Sequence, residues 1–125
     1  PVMQAMPPML AELAKDPDSG FLGSQNLLAG LRQVCLLRYW RDFDSLEAYA
    51  RSRDREHWPA WVDFNRRIGS DGTVGIFHET YAVDGGRYET VYGNMPEWGL
   101  GKVAGLADAT GKRAEARARM KATTE

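Results

Sequence analysis

Several features that mark particular protein classes are scarce in this chain of 125 residues. It has one cysteine, so an internal disulfide is impossible and the paired cysteines of a zinc site are missing. No apolar run approaches the roughly 18 residues of a membrane span, and no apolar core of a signal peptide is present. The formal net charge is −1, so no global field favours nucleic acid or an anionic membrane. These absences predict a cytoplasmic protein with no nucleic-acid and no membrane partner.

The chain also has only two histidines. His78 lies within an apolar, aromatic and β-branched stretch, residues 75–81, that is typical of a buried strand. A buried imidazole needs a partner, because burying it unpaired costs about 1–3 kcal/mol. One possible partner is a metal ion or haem iron, and the other is an ordinary hydrogen-bonding group. The spacing of the residues alone favours the hydrogen-bonding group. Cys35, in another apolar run, is predicted to be a buried structural thiol.

Hydrophobic periodicity predicts alternating helices and strands. The first predicted helix ends at Lys15, before a stop signal over Asp16–Gly20. The second, longer helix is predicted to run from an N-cap at Asp44 to Ile68, with a kink or break at Pro59, and to end at Gly69. The first predicted hairpin pairs the strands Phe21–Leu28 and Arg32–Arg41 around a turn at Ala29–Gly30. The second pairs the strands Thr73–Val83 and Tyr88–Tyr92 around a turn at Asp84–Gly86.

This order predicts an α+β fold with one domain over residues 1–110, followed by a basic C-terminal helix or tail over residues 111–125. The C-terminal part has no apolar stripe, so we expect it to be solvated. A small open sheet with an aromatic face must be covered, which predicts a homodimer. The glycines at Gly99, Gly101 and Gly105 do not have the spacing of a nucleotide-binding loop.

His57 projects from the apolar face of the predicted second helix, next to charged residues. Its position is open to a role as general acid or base, although a structural histidine is the interpretation that the pattern favours.

Five segments of the chain together resemble one known family. The sequence resembles a bacterial family that is labelled monooxygenase-like and has no other known function. The segments that carry the resemblance are WRDFDSLEAYA at 40–50, HWPAW at 57–61, GIFHETY at 75–81, YGNMP at 92–96 and GLG at 99–101. The resemblance implies a ferredoxin-like antiparallel sheet with helices on one face, dimerising into an α+β barrel. It also implies a strand upstream of the methionine-rich first helix, which this sequence does not contain.

The central block is also remotely similar to the C-terminal half of haem-dependent aldoxime dehydratases. By that resemblance His78 corresponds to the proximal haem ligand, and His57 to the second histidine of a helical pair. The distal histidine of those enzymes falls near Asn94 or Met95, where this chain has none.

The resemblance therefore implies a small haem-binding enzyme that acts on N–O bonds or oxygen with a small organic substrate. His78 would ligate the iron, and its candidate catalytic residues are His57, Asn94 and Arg38. The remaining expected contacts of the haem are Ile76, Trp61, Phe64 and Met95. The alternatives are a cofactor-free monooxygenase, in which His78 is a base or orienting group, and a non-catalytic module that binds a small ligand.

Overall fold

The computed structural model of the chain describes residues 11, 13, 15–52, 57–69 and 71–122. For residues 57, 58, 60, 61 and 122 it describes the backbone alone. Two compact units are formed: one contains the described residues up to Gly23 and from Trp40 to Thr80, the other contains Ser24–Tyr39 and the chain from Tyr81 onward. The predicted mixed α+β class is confirmed, with a two-stranded sheet and several short helices.

The sheet is an antiparallel hairpin of β1 (Phe21–Gly30) and β2 (Gln33–Trp40), as the alternating pattern predicts. Its turn is at residues 31–32 rather than at the predicted residues 29–30. The ladder extends through Gly30 because inter-strand hydrogen bonds override the weak turn preference of single residues. Beyond the strand ends, the Arg41 amide donates a hydrogen bond of 2.8 Å to the Gly20 carbonyl.

Cys35 is exposed on β2, so the predicted burial of its thiol is wrong. An apolar sequence run indicates a strand, but only a covering layer buries its side chains. Among the described residues the sheet has two strands, and most of the β2 side chains near the turn are exposed to solvent.

The predicted stop after the first helix is confirmed. Residues 11, 13 and 15 are helical, and the rest of that predicted helix lies outside the described residues. A 3₁₀ turn follows over Pro17–Ser19, capped by the Asp16 side chain, which accepts from the Asp18 amide. Gly20 then adopts a left-handed conformation with φ 78°. Glycine enters that region without the steric cost of a Cβ atom, so the chain can turn here into β1.

Helix α1 (Phe43–Arg51) begins two residues earlier than predicted. Its N-cap is Asp42, whose carboxylate accepts from the Ser45 amide at 2.7 Å, and Asp44 lies within the first turn. Asp42 has the extended backbone that an N-cap requires, with φ −157° and ψ 167°.

The predicted single helix from Asp44 to Ile68 is instead two helices. α1 ends at the extended Ser52, and α2 spans His57–Ile68. Pro59 does not break α2, because it occupies the first turn, where its missing N–H needs no intrahelical acceptor. The predicted end is confirmed, since Gly69 has φ 58°.

An aromatic cluster forms the core of the first unit. The ring of Trp40 meets Phe21 edge to face, with centroids 5.3 Å apart, and meets Tyr49 of α1 at 5.7 Å. Tyr49 and Phe64 of α2 are each 7% exposed, and Leu13 is 2% exposed. Burying these side chains stabilises the unit by about 25 cal/mol for each Å² of apolar area removed from water.

The strands predicted at Thr73–Val83 and Tyr88–Tyr92 are not formed, and neither segment has regular secondary structure. The turn between them is present, because the Arg87 amide donates to the Asp84 carbonyl at 3.2 Å. His78 and its neighbours are exposed, so the predicted burial of this imidazole is also wrong. Alternation and β-branching favour a strand, but a strand exists only when another strand supplies its hydrogen bonds.

Most described residues of the C-terminal segment are exposed, as the sequence predicts, whereas Ala118, Arg119 and Met120 are half-buried. After the short helix α3 (Leu100–Ala104), this segment forms a 3₁₀ turn (Gly111–Arg113) and a helix, α4 (Ala116–Ala122). Arg119 of α4, 15% exposed, forms an ion pair of 2.9 Å with Glu89 and donates to the carbonyls of residues 113 and 114. None of the described helices is long and apolar enough to cross a membrane.

Candidate functional site

His78 lies on an exposed apolar stretch of the first unit. Its neighbours Ile76 and Phe77 are 53% and 84% exposed. Large apolar side chains are energetically expensive to leave in water, at about 1.5–3 kcal/mol for each side chain. The imidazole is therefore accessible to an external ligand and is flanked by side chains that favour an apolar one.

The other predicted haem contacts of the first unit lie on α2. Phe64 is a buried core residue, so its ring is not exposed to an external ligand. The backbones of His57 and Trp61 are helical, while their side chains lie outside the described residues. The predicted roles of these two residues therefore stay predictions.

The remaining predicted site residues belong to the second unit. Arg38 is half-buried on β2 and already has an interaction partner. Asn94 and Met95 are exposed, and Asn94 has a left-handed backbone with φ 52°. Asparagine is among the few non-glycine residues that tolerate this region, since its short side chain can hydrogen-bond locally.

The loop that carries Asn94 and Met95 is closed by a side chain that sequence reasoning missed. The phenol of Tyr92 donates to the Trp98 carbonyl at 2.6 Å and accepts from the Gly101 amide at 2.9 Å. Gly101 is required at this position, since a Cβ there would lie 2.7 Å from the Tyr92 ring. The glycine spacing that fails as a nucleotide motif therefore serves close packing against a tyrosine.

A second phenol lies beside this loop. A Cβ on Gly99 would lie 3.2 Å from the Tyr39 hydroxyl of β2, so the strand and the loop approach closely here. Burial, and secondarily the neighbouring Tyr92 phenol, raise the pKa of Tyr39 above its ordinary value. Both effects disfavour the phenolate, so Tyr39 is a hydrogen-bonding group rather than a base near neutral pH. No motif in the sequence pairs these two tyrosines.

The first unit also has a polar cleft of about 460 Å³ that contains none of the predicted site residues. It is lined by Asp18, Ser19, Arg41, Asp42, Asp44, Ser45, Ala48, Tyr49 and Ser52. Arg41 donates from Nε to Asp42 at 3.1 Å and from Nη2 to the Ser45 hydroxyl at 3.1 Å. Three aspartates against one arginine favour a cationic or hydroxyl-rich ligand over an anion.

Hydrogen bonds from Ser45, first its hydroxyl and then its amide, lower the pKa of Asp42 to about 2, and Arg41 adds to the effect. This carboxylate is consequently ionised at any physiological pH and is unsuited to general-acid chemistry. Among the described residues, no three His, Cys, Asp or Glu side chains are placed to hold a metal ion together.

Comparison with known proteins places the chain in a family. A family model described as Monooxygenase af470-like matches residues 1–100, four fifths of the chain. The chain belongs to this family. The match covers His78 and the Tyr92 loop up to Leu100, whereas the C-terminal helix α4 lies beyond it. No curated protein and no solved structure matches the chain significantly.

Proposed function

We propose that this member of the monooxygenase-like family is a small haem-binding enzyme that acts with oxygen or on N–O bonds of a small organic substrate. The observation that carries the proposal is the exposed imidazole of His78 beside exposed apolar side chains. The family description supports oxygen chemistry without naming a cofactor.

The residues present fit a porphyrin. A haem needs one strong axial donor from the protein, and a neutral histidine nitrogen is the commonest one. The macrocycle is apolar and flat, so Ile76 and Phe77, both exposed beside His78, are suited to pack against it. Burying such side chains under a ring would recover hydrophobic free energy at about 25 cal/mol per Å².

The haem, when bound, supplies iron for one-electron and oxygen chemistry. The protein would hold the iron through His78, and the exposed side chains of Ile76 and Phe77 would pack against the ring. The second nitrogen of the imidazole would donate to an acceptor and thereby set the tautomer of the ligand. The roles that the resemblance assigns to His57, Arg38, Asn94, Met95, Trp61 and Phe64 stay part of this proposal.

Hemin titration of the purified protein tests the proposal. We expect a saturable Soret band at one hemin per chain in the wild type, lost in His78→Ala. His57→Ala is the matched control, because it removes the chain's other imidazole, and we expect it to retain the band. A wild type without a specific band, or a band that survives in His78→Ala, would refute ligation by His78.

A cofactor-free monooxygenase is the second candidate. The family description supports it as well as it supports the haem enzyme, because both would react with oxygen. In such an enzyme His78 would take a proton from an electron-rich substrate. Oxygen uptake with a panel of hydroquinones, by protein free of pigment, would support this candidate if His78→Ala abolishes it. Mere destabilisation by His78→Ala, without either activity, would support a non-catalytic ligand-binding module.

We also propose that the chain works as a homodimer with a ferredoxin-like sheet, as the resemblance implies. Several large apolar side chains are exposed in the described chain, among them Leu28, Leu31, Phe77 and Val91. A second copy would cover such side chains and supply missing strand partners. Light scattering coupled to size-exclusion chromatography should give about twice the 14.0 kDa mass of the chain. A monomer at micromolar concentration would contradict this part.

A further inference from the structure

Basic charge is concentrated in one part of the chain, the basic segment (residues 111–121). It has five basic side chains and one acidic one, a local charge of +4, whereas the whole chain has −1 and its other residues together −5. The small overall charge therefore conceals a strong asymmetry, which is typical of chains with an anionic partner. The basic side chains are Lys112, Arg113, Arg117, Arg119 and Lys121.

One of these side chains fixes the basic segment within the second unit. Arg119 forms an ion pair of 2.9 Å with Glu89 and is 15% exposed. Its Nη1 also donates to the carbonyls of Arg113 and Ala114, at 3.0 and 2.7 Å, so it joins the 3₁₀ turn to α4. The positions from which the other basic side chains extend are therefore set before any ligand binds, which lowers the entropic cost of binding.

The other four basic side chains are exposed and form no ion pair within the part of the chain that the structure describes. Arg117 and Lys121 are four residues apart on α4, so they lie on one face of the helix, one turn apart. Lys112 and Arg113 precede them in the 3₁₀ turn. Like charges at this helical spacing repel each other, so a bound polyanion would relieve a repulsion as well as add attraction.

The basic segment does not offer the apolar side chains that a protein or membrane partner requires. Among its side chains, all of which the structure describes, no large apolar one is exposed, and Met120 is half-buried. The core of a protein–protein interface is apolar and poor in charge, and a helix that lies on a membrane inserts an apolar face. Interfaces with nucleic acids are instead polar and strongly basic, because about half or more of their hydrogen bonds go to the sugar–phosphate backbone.

We propose that the basic segment binds the phosphate backbone of a nucleic acid. The guanidinium groups of Arg113 and Arg117 can each donate two parallel hydrogen bonds to a phosphate. The ammonium groups of Lys112 and Lys121 add compact positive charges. Such contacts carry no sequence information, so the affinity depends on charge and on salt rather than on the bases. The proposal is independent of haem binding by His78, which belongs to the first unit.

Fluorescence anisotropy tests the proposal with a labelled single-stranded RNA of mixed sequence and about 16 nucleotides. A duplex DNA of the same sequence is the second probe. Four phosphate contacts predict that the logarithm of the association constant falls against the logarithm of the salt concentration with a slope of about −3 for the RNA and about −4 for the duplex. The double variant Arg117→Gln, Lys121→Gln should roughly halve both slopes and lower the affinity at least about tenfold at about 50 mM salt.

Two further double variants serve as controls. Lys15→Gln with Arg32→Gln makes the same change in net charge at exposed residues outside the basic segment, and should leave both slopes unchanged. Arg117→Lys with Lys121→Arg keeps the charge within the segment and should retain binding. All of the altered side chains are exposed, so the variants should have the circular-dichroism spectrum and the melting temperature of the wild type.

Three results would overturn the proposal. The first is a wild type that binds neither probe at low salt. The second is an equal loss of affinity in both glutamine variants, because the charge of the whole chain would then be responsible. The third is binding to vesicles that contain phosphatidylserine without binding to either nucleic acid, which would assign the segment to an anionic membrane. The expected slopes with RNA, with the duplex or with both support the proposal and identify the form of nucleic acid that is bound.

Discussion

Replacement of Gly20 by alanine should be among the most damaging single-methyl additions to this chain. Gly20 is buried with φ 78°, where an L side chain is strained. An added Cβ would lie 2.5 Å from the Cβ of Ser45, closer still to the Ser45 hydroxyl, and 3.4 Å from Nη2 of Arg41. The Cβ of Ser45 is fixed to the backbone of α1, so no change of rotamer removes the clash.

The expected magnitude is the sum of two separable costs. The left-handed conformation costs alanine about 1–2 kcal/mol relative to glycine. Overpacking against a fixed neighbour adds about 1–3 kcal/mol. We therefore expect Gly20→Ala to lower the free energy of unfolding by about 3 kcal/mol.

Two other glycines separate these costs experimentally. Gly72 has almost the same conformation, φ 80°, but no described atom lies within 4 Å of its added Cβ, so Gly72→Ala should lose about 1 kcal/mol. Gly93 lacks both the positive φ and any such neighbour among the described residues, so Gly93→Ala should be neutral or slightly stabilising.

Urea unfolding followed by tryptophan fluorescence measures all three variants, since Trp40 reports on the core beside Gly20. Provided that the slopes agree, the unfolding midpoints give the differences directly. The reasoning is refuted if Gly20→Ala and Gly72→Ala differ by less than about 0.5 kcal/mol, because the contact with α1 would then cost nothing.

Three further predictions follow from single contacts. The folded-state pKa of Asp42 is about 2, below its ordinary 3.8, so its contribution to stability is complete above pH 3.8 and is lost as pH falls towards 2. Between these pH values the urea midpoint of the wild type should fall more than that of Asp42→Asn, which keeps a capping oxygen but does not titrate. Parallel pH profiles of the two proteins would contradict this. Arg119→Met should speed amide exchange across α4, because it breaks the pair with Glu89 at a cost of about 1–3 kcal/mol, whereas the exposed Arg117→Met should leave exchange unchanged. Cys35 is exposed, so one equivalent of Ellman's reagent should react with the native protein without denaturant, and a thiol that reacts only in urea would show the opposite.

Local features of the fold were predictable because short-range rules decide them. Strand alternation indicated the β1–β2 hairpin, and the Asp16–Gly20 and Gly69 signals marked where helical structure ends. Both depend on backbone conformations that a residue and its immediate neighbours favour. These rules locate an element but miss its boundary by a few residues. The helix cap lies at Asp42 instead of Asp44, and Pro59 lies within α2 instead of breaking a helix.

The sequence indicates candidate site residues but not their surroundings. The unusual position of His78 singled it out, yet its exposure contradicts the burial that the strand pattern predicted. Tyr92 lies in a segment that carries the family resemblance, but nothing in the sequence shows that its phenol reaches residues six and nine positions later.

The amino-acid pattern is enough to assign the α+β class, the family and the residue types available for chemistry. These depend on composition, on periodicity and on motifs within a few residues of one another. Three features appear only when the chain is folded: Cys35 and His78 face solvent, Arg119 forms an ion pair with Glu89, and Gly101 lacks a side chain beside Tyr92. The physical reason is that burial, ion pairing and close packing each need a second segment, and one segment's pattern does not say which other segment arrives.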